Sequence, residues 1–133
     1  MRSIWREIAF AFFSWLLPFV FAVCIFPLKA SHTALFDTLM GVALAASTVL
    51  LGCLYLRRAG ERYVAHGVRI GVEWVAANLL LDGLMFSGGP MKMSLSDYAM
   101  DIGLAYLAIP AITIGLGCAA ARACRERTEA PHV

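Results

Sequence analysis

The chain has 133 residues, 61% of them hydrophobic, and a mean hydropathy of +0.76. One small water-soluble core cannot bury that much apolar side chain, so the composition excludes an ordinary soluble domain and indicates that lipid surrounds the chain. The net charge of +2 comes from basic residues that flank apolar stretches and form no continuous stripe, so we expect no nucleic-acid partner.

The first two predicted elements are apolar stretches over residues 8–27 and 34–56. About 20 helical residues, each rising about 1.5 Å, cross a hydrocarbon core of about 30 Å. The first stretch follows a basic N-terminus, as in a signal peptide. It is longer than the roughly 7–15 apolar residues of such peptides and further spans follow, so we interpret it as a transmembrane helix. Pro18 in its middle predicts a kink.

The third and fourth predicted spans cover residues 68–86 and 101–121, and the fourth has Pro110 near its centre. A charged cytoplasmic tail is predicted over residues 123–133. The predicted fold is therefore all-α: a polytopic integral membrane protein whose single domain, residues 1–122, is a four-transmembrane-helix bundle. The lipid bilayer is its first expected partner.

The basic residues predict an orientation. All nine arginines lie before the first span, between the second span and the first turn of the third, or after the fourth, whereas Lys29 and Lys92 lie in the other two loops. Cytoplasmic flanks accumulate Lys and Arg. We therefore expect a multi-pass protein of the cytoplasmic (inner) membrane with both termini in the cytoplasm.

The two halves share a faint repeat. Residues 35–40 (LFDTLM) resemble residues 95–100 (LSDYAM), and Trp15 and Trp74 precede Asp37 and Asp97 by 22 and 23 residues. A true duplication predicts two repeated helical hairpins related by a pseudo-two-fold axis along the membrane normal. Chance similarity between apolar segments is the alternative.

The third span carries the main candidate site. Asp82 lies 13 residues beyond Arg69, about 20 Å along a helix, and Asn78 lies one turn earlier on the same face. An aspartate at the centre of a span costs roughly 2.5–3.5 kcal/mol, and less near its end. Asp82 and Asn78 are therefore candidates to bind a proton, a cation or a substrate. The alternative is a structural cap in which Asp82 reaches interfacial water or Lys92.

Other polar residues on the outer side form a second candidate set. With Asp82 they would line an acidic vestibule that attracts cations; its members are Asp37, Asp97, Asp101 and Lys92. The alternative for part of this set is helix capping, in which Ser94 or Ser96 accepts the first amides of the fourth helix and the two nearby aspartates favour the positive end of its dipole.

The remaining polar residues point to structure rather than catalysis. Arg69 and Glu73 are one turn apart and predict a structural ion pair. Nine residues separate Glu73 from Asp82, which places them on opposite sides of a helix and argues against a two-carboxylate catalytic pair. The four cysteines show no metal-ligand spacing, so no metal and no cofactor is expected, and no enzymatic motif is present.

Several short motifs carry a resemblance to a known group. They are Phe26-Pro27-Leu28-Lys29, Leu81-Asp82, and the run from Met91-Lys92-Met93-Ser94 through Asp97-Tyr98 and Ile102-Gly103 to Tyr106-Leu107-Ala108-Ile109-Pro110. With these motifs the chain resembles a family of small uncharacterised four-span membrane proteins of prokaryotes. The resemblance implies four transmembrane helices and carries no activity.

Two functions fit these features, and the first is the one that we expect. The first is an oligomeric transporter or channel-like subunit for a small solute or cation, because four helices barely enclose a pathway and a homo-oligomer would supply it. The second is a non-transporting accessory or assembly subunit that packs against a larger membrane partner. It is favoured by small-residue faces such as Gly67-x-x-x-Gly71.

Overall fold

The computed structural model describes residues 4–60, 62–88 and 94–129, and for residues 86, 88, 95 and 101 only the backbone. Throughout these ranges the regular structure is helical. The elements in chain order are α1 (Ile4–Ile25), α2 (Pro27–Ser31), α3 (Thr33–Leu56), α4 (Tyr63–Gly88), α5 (Leu95–Tyr98), a π-helical turn (Ala99–Gly103), a 3-10 turn (Ala105–Leu107) and α6 (Ala108–Glu129).

Within the described ranges, four helices are long and apolar enough to cross a membrane, as predicted. They are Ile4–Ile25, Thr33–Leu56, Tyr63–Met85 and Ala105–Glu129. The fourth continues well past the predicted end at residue 121. Its added turns are rich in arginine and glutamate, which favour helix, and Arg125 pairs with Glu129 one turn later.

The prolines predicted near the middle of the first and fourth spans occupy different helical positions. Pro18 is buried inside α1, which continues through it to Ile25. Pro110 lies in the first turn of α6, so its predicted place near the centre of the fourth helix is wrong. A proline in a first turn removes no intrahelical hydrogen bond, and α6 begins later than predicted because the π-helical and 3-10 turns precede it.

The helices form two hairpins that lie side by side. α1 packs on α3 and α4 packs on α6; the hairpins meet where α1 contacts α4 and α3 contacts α6. A two-fold axis parallel to the helices would instead place the equivalent helices diagonally opposite each other. The contacts therefore do not fit the predicted axis, although both halves share a long helix, a short helix and a second long helix.

The contact between α4 and α6 is close because glycines line it. A Cβ atom on Gly71 would lie 2.6 Å from Oγ1 of Thr113, and one on Gly117 would lie 2.7 Å from the carbonyl oxygen of Tyr63. Gly67 likewise faces the backbone of Thr113. The Gly67-x-x-x-Gly71 face is thus occupied by the chain's own α6, which removes it as the predicted contact for a partner.

Candidate functional site

The candidate site is built on one face of α4. Asn78 and Asp82 are one turn apart and both are buried, with 1% and 7% of their surface exposed. Six residues separate Asp82 from the end of α4 at Gly88, about 9 Å along the axis. The carboxylate therefore lies inside the candidate span, nearer to the C-terminal end of α4, and its partners in the described part of the chain differ from those predicted.

Three donors from three parts of the chain bind the Asp82 carboxylate. The indole Nε1 of Trp15 on α1 donates to Oδ1 at 2.7 Å. The hydroxyl of Tyr98 on α5 donates to Oδ2 at 2.9 Å, and the hydroxyl of Tyr106 in the 3-10 turn donates to the same oxygen. We call these four residues the Asp82 hub.

The irregular segment before α6 brings the two tyrosines together. Tyr98 and Tyr106 are eight residues apart, which in a regular helix means a rise of about 12 Å. The π-helical turn and the 3-10 turn lie between them and change the winding of the chain. The hydroxyl groups of both tyrosines can thus reach Oδ2 of Asp82, although the tyrosines lie at opposite ends of the irregular segment. Single π-helical turns are frequent at functional sites.

Packing on α1 fixes the third donor. The Trp15 ring stacks on Phe19 with ring centroids 4.7 Å apart and an interplanar angle of 14°. Phe19 is one turn further along α1, where side chains meet. The stack holds the indole so that its N–H points at Asp82, and it buries Trp15 to 9% exposure.

A second hydrogen-bonded pair lies one turn below the hub. Nδ2 of Asn78 donates to Oγ of Ser14 at 3.1 Å and to the Trp74 carbonyl oxygen at 2.8 Å. The Ser14 hydroxyl donates to the Ala11 carbonyl oxygen at 2.7 Å. In the described part of the chain, every buried side-chain nitrogen and oxygen has a hydrogen-bond partner. α1 and α4 are therefore joined by two adjacent polar contacts.

The arrangement stabilises a carboxylate away from water. Burying a charged or polar group costs several kcal/mol unless hydrogen bonds replace its hydration, and a hydrogen bond to a charged group contributes roughly 1.5–3 kcal/mol. The same environment also changes the pKa of Tyr98. Burial, followed by its hydrogen bond to Asp82, raises the pKa of the Tyr98 phenol well above its usual value, so the hydroxyl keeps its proton and donates at neutral pH.

The other predicted outer residues do not share this site. Asp37 is exposed on α3. Asp97 accepts a hydrogen bond from the Ser94 hydroxyl at 2.6 Å, while its own amide donates to Ser94 Oγ at 3.2 Å. Ser94 therefore caps the short helix α5, whereas the predicted cap was on the fourth long helix, which begins only at Ala108. Lys92 and the side chain of Asp101 lie outside the described residues.

A separate polar cluster joins α1, α3 and α4 at the end of the spans where most arginines lie. Arg69 pairs with Glu73 at 2.6 Å and with Glu7 of α1 at 2.7 Å. The Tyr55 hydroxyl of α3 donates to Glu7 at 3.4 Å. Arg69 and Glu73 thus form the ion pair that their spacing predicts, within a larger network that includes α1.

Comparison of the chain with protein-family models, with curated proteins and with solved structures finds no match.

The donors of the hub are the residues that sequence reasoning missed. The sequence singles out Asp82 and Asn78 on the third span, and nothing in the local spacing connects Trp15, Tyr98 or Tyr106 with them. One signal was available: a buried tryptophan N–H or tyrosine O–H usually finds a hydrogen-bond partner, and Asp82 is a strong acceptor within a span. That signal predicts that some tryptophan or tyrosine donates a hydrogen bond to Asp82, but it does not specify which one.

Proposed function

We propose that this chain is a small integral membrane protein that acts as a non-transporting accessory or assembly module, packing against other transmembrane helices. One observation supports this choice over a transport pathway: the Asp82 carboxylate is 7% exposed and is bound by three donors of its own chain. A carboxylate held in this way ties helices together. The proposal makes the chain a structural partner and assigns it no enzymatic reaction.

A transport site has a different requirement. A cation or substrate that used Asp82 would compete with Trp15, Tyr98 and Tyr106 for the carboxylate oxygens, and each donor that it displaced would lose a hydrogen bond to a charged group, worth roughly 1.5–3 kcal/mol. The hub therefore favours a closed structural contact.

The exposed sides of the long helices provide apolar surface on which other transmembrane helices could pack. Large apolar side chains are exposed along the spans, for example Val42, Leu50, Val72 and Leu80. Such surfaces require lipid or other helices around them. On α6, a Cβ atom added to Gly115 would meet nothing within 4 Å, so a neighbouring helix has room to approach there.

Two measurements on the same preparations test the proposal. Mild-detergent extracts are subjected to affinity capture of the tagged chain, and the purified chain is placed in liposomes for cation- and proton-flux measurements. We expect a stoichiometric membrane partner, no flux above empty liposomes, and weaker partner capture for Asp82→Asn. Asp37→Asn, an exposed aspartate on α3, is the matched control and should capture the partner normally.

Transport by an oligomer is the second candidate function, favoured by one specific observation. No Lys, Arg or His of the described chain forms a salt bridge with Asp82, whose donors are all neutral. A buried carboxylate without a basic partner is a common feature of proton and cation sites in membranes. Proton or cation flux in the parent protein that disappears in Asp82→Asn but persists in Asp37→Asn would favour this function and reject the accessory module.

A further inference from the structure

A surface groove lies between the beginning of α4 and the last turns of α6. Val64 on one side and Ala121 and Cys124 on the other give it a mainly apolar floor. Arg62, directly before α4, and Arg125, on α6, stand at its edges. It lies at the arginine-rich end of the spans, on the opposite side of the membrane segment from the Asp82 hub.

The groove exists because the two helices have different lengths at this end. Gly117 of α6 packs tightly against the carbonyl of Tyr63, the first residue of α4. α6 then continues to Glu129, so it extends further at this end than α4, which begins at Tyr63. The residues of α6 beyond Ala121 therefore face an open corner instead of a neighbouring helix.

The two guanidinium groups at the groove are available for a ligand. Arg62 is exposed. The only salt bridge of Arg125 in the described chain is to Glu129 at 3.3 Å, and the two side chains are 81% and 70% exposed, a geometry that contributes little stability. Arg62 also has a φ of 73°, a left-handed conformation that costs roughly 1–2 kcal/mol in a residue other than glycine.

Two arginines above an apolar floor fit one kind of ligand. Guanidinium groups bind phosphate oxygens through paired N–H donors, and basic pockets between helices on the cytoplasmic side of membranes hold lipid head groups. We propose that this groove binds the phosphate of an anionic phospholipid, with part of an acyl chain against Val64 and Ala121. The inference rests on the proposed placement of the chain in a membrane.

The test compares the thermal stability of the detergent-solubilised protein with three additives. We expect phosphatidylglycerol to raise the unfolding temperature, and phosphatidylcholine and glycerol 3-phosphate at equal concentration to leave it unchanged. The double variant Arg62→Gln/Arg125→Gln should bind phosphatidylglycerol roughly tenfold or more weakly, because each arginine near an anionic surface contributes on the order of 1 kcal/mol.

Two further variants separate a groove from general charge. Arg122→Gln/Arg127→Gln removes the same charge from exposed positions of α6 outside this groove and should keep the phosphatidylglycerol effect. Ala121→Phe fills the floor without changing charge and should abolish it.

Three results would overturn the proposal: equal effects of the two lipids, an equal effect of glycerol 3-phosphate, or equal losses in both arginine double variants. Failure of the membrane placement has a different signature, which is a monodisperse protein in the absence of detergent.

Discussion

The three residues that donate hydrogen bonds to Asp82 differ in how readily water could take over their role as donor. Tyr106 and Trp15 are each 9% exposed, whereas Tyr98 is only half-buried. If a buried donor is removed, the carboxylate loses a hydrogen bond that water cannot replace there, and an unsatisfied buried group costs about 1–3 kcal/mol. Near the surface, water takes the place of the lost donor. The three donors should therefore contribute unequally to stability.

The first prediction concerns this inequality. Tyr106→Phe should lower the free energy of unfolding by about 1–3 kcal/mol, and Tyr98→Phe by less, because water can reach the carboxylate on the Tyr98 side. Tyr63→Phe, at the other end of α4, should change it by no more than about 0.5 kcal/mol. Equilibrium unfolding in mixed micelles measures all three. Equal effects of Tyr106→Phe and Tyr63→Phe would contradict the hub.

The second prediction concerns pH. The pKa of Tyr98 is raised in the folded protein above its unfolded value of about 10, so the stability that this tyrosine contributes is complete below about pH 10 and is lost as the pH rises above it. Alkaline unfolding curves should show this loss in the parent protein and a smaller loss in Tyr98→Phe. Identical slopes above pH 10 in the two proteins would reject the raised pKa.

At the residue scale, the sequence identifies the acceptor better than its donors. Asp82 and Asn78 stand out because polar residues are rare in spans and the two share a face of one helix. Trp15 is 67 residues away from Asp82 and Tyr106 is 24 residues away, so local spacing carries no information about their contact. Ser94 and Asp97 were predictable as a cap because capping is local.

At the element scale, the contact between α4 and α6 depends on the absence of side chains at Gly71 and Gly117. Both positions leave less than 3 Å for a Cβ atom before it meets the opposite helix. Gly83, on the same helix as Gly71, faces open space, with nothing within 4 Å of an added Cβ. The same substitution therefore has opposite consequences at two positions of α4.

The third prediction uses this pair. Gly71→Ala should reduce stability by about 1–3 kcal/mol, because the methyl group would force Thr113 and Pro110 to move. Gly83→Ala should be neutral or stabilising by up to about 1 kcal/mol, since alanine favours helix. Unfolding of the two variants side by side measures the difference. A Gly83→Ala variant as unstable as Gly71→Ala would argue against this helix contact.

Element positions were predictable where hydropathy alone determines them. The four spans follow from apolar length, a property of the sequence itself. The start of α6 was not predictable in this way, because residues 99–107 are mostly apolar, as in a continuous span, and the contact of Tyr106 with Asp82 leaves no trace in the local hydropathy.

At the scale of the whole molecule, α1 and α4 are joined at two levels, one near the beginning of α1 and one at its middle. The Asp82 hub lies toward one end of α4, and the Glu7–Arg69–Glu73 cluster lies 13 residues earlier on α4, about 20 Å away along the axis. Two polar contacts separated by that distance restrict both sliding and tilting of one helix against the other. The two hairpins should therefore behave as one rigid unit.

The fourth prediction concerns orientation. In cells that express a variant with Cys124 as the sole cysteine, a membrane-impermeant maleimide should label the protein only after the membrane is opened, because Cys124 is exposed next to the arginine-rich end. A cysteine-free variant carrying Ser96→Cys, exposed at the opposite end, should be labelled in intact cells. The reverse pattern would invert the predicted topology.

The long sequence separations within the hub have a consequence for biosynthesis. The span that carries Asp82 is the least apolar of the four, and two of the three groups that satisfy its carboxylate belong to chain that leaves the ribosome afterwards. A nascent chain that stops before Tyr98 would therefore hold an incompletely solvated acid inside the lipid. Ribosomal stalling or truncation in this interval should leave the third span poorly anchored and open to degradation by membrane proteases.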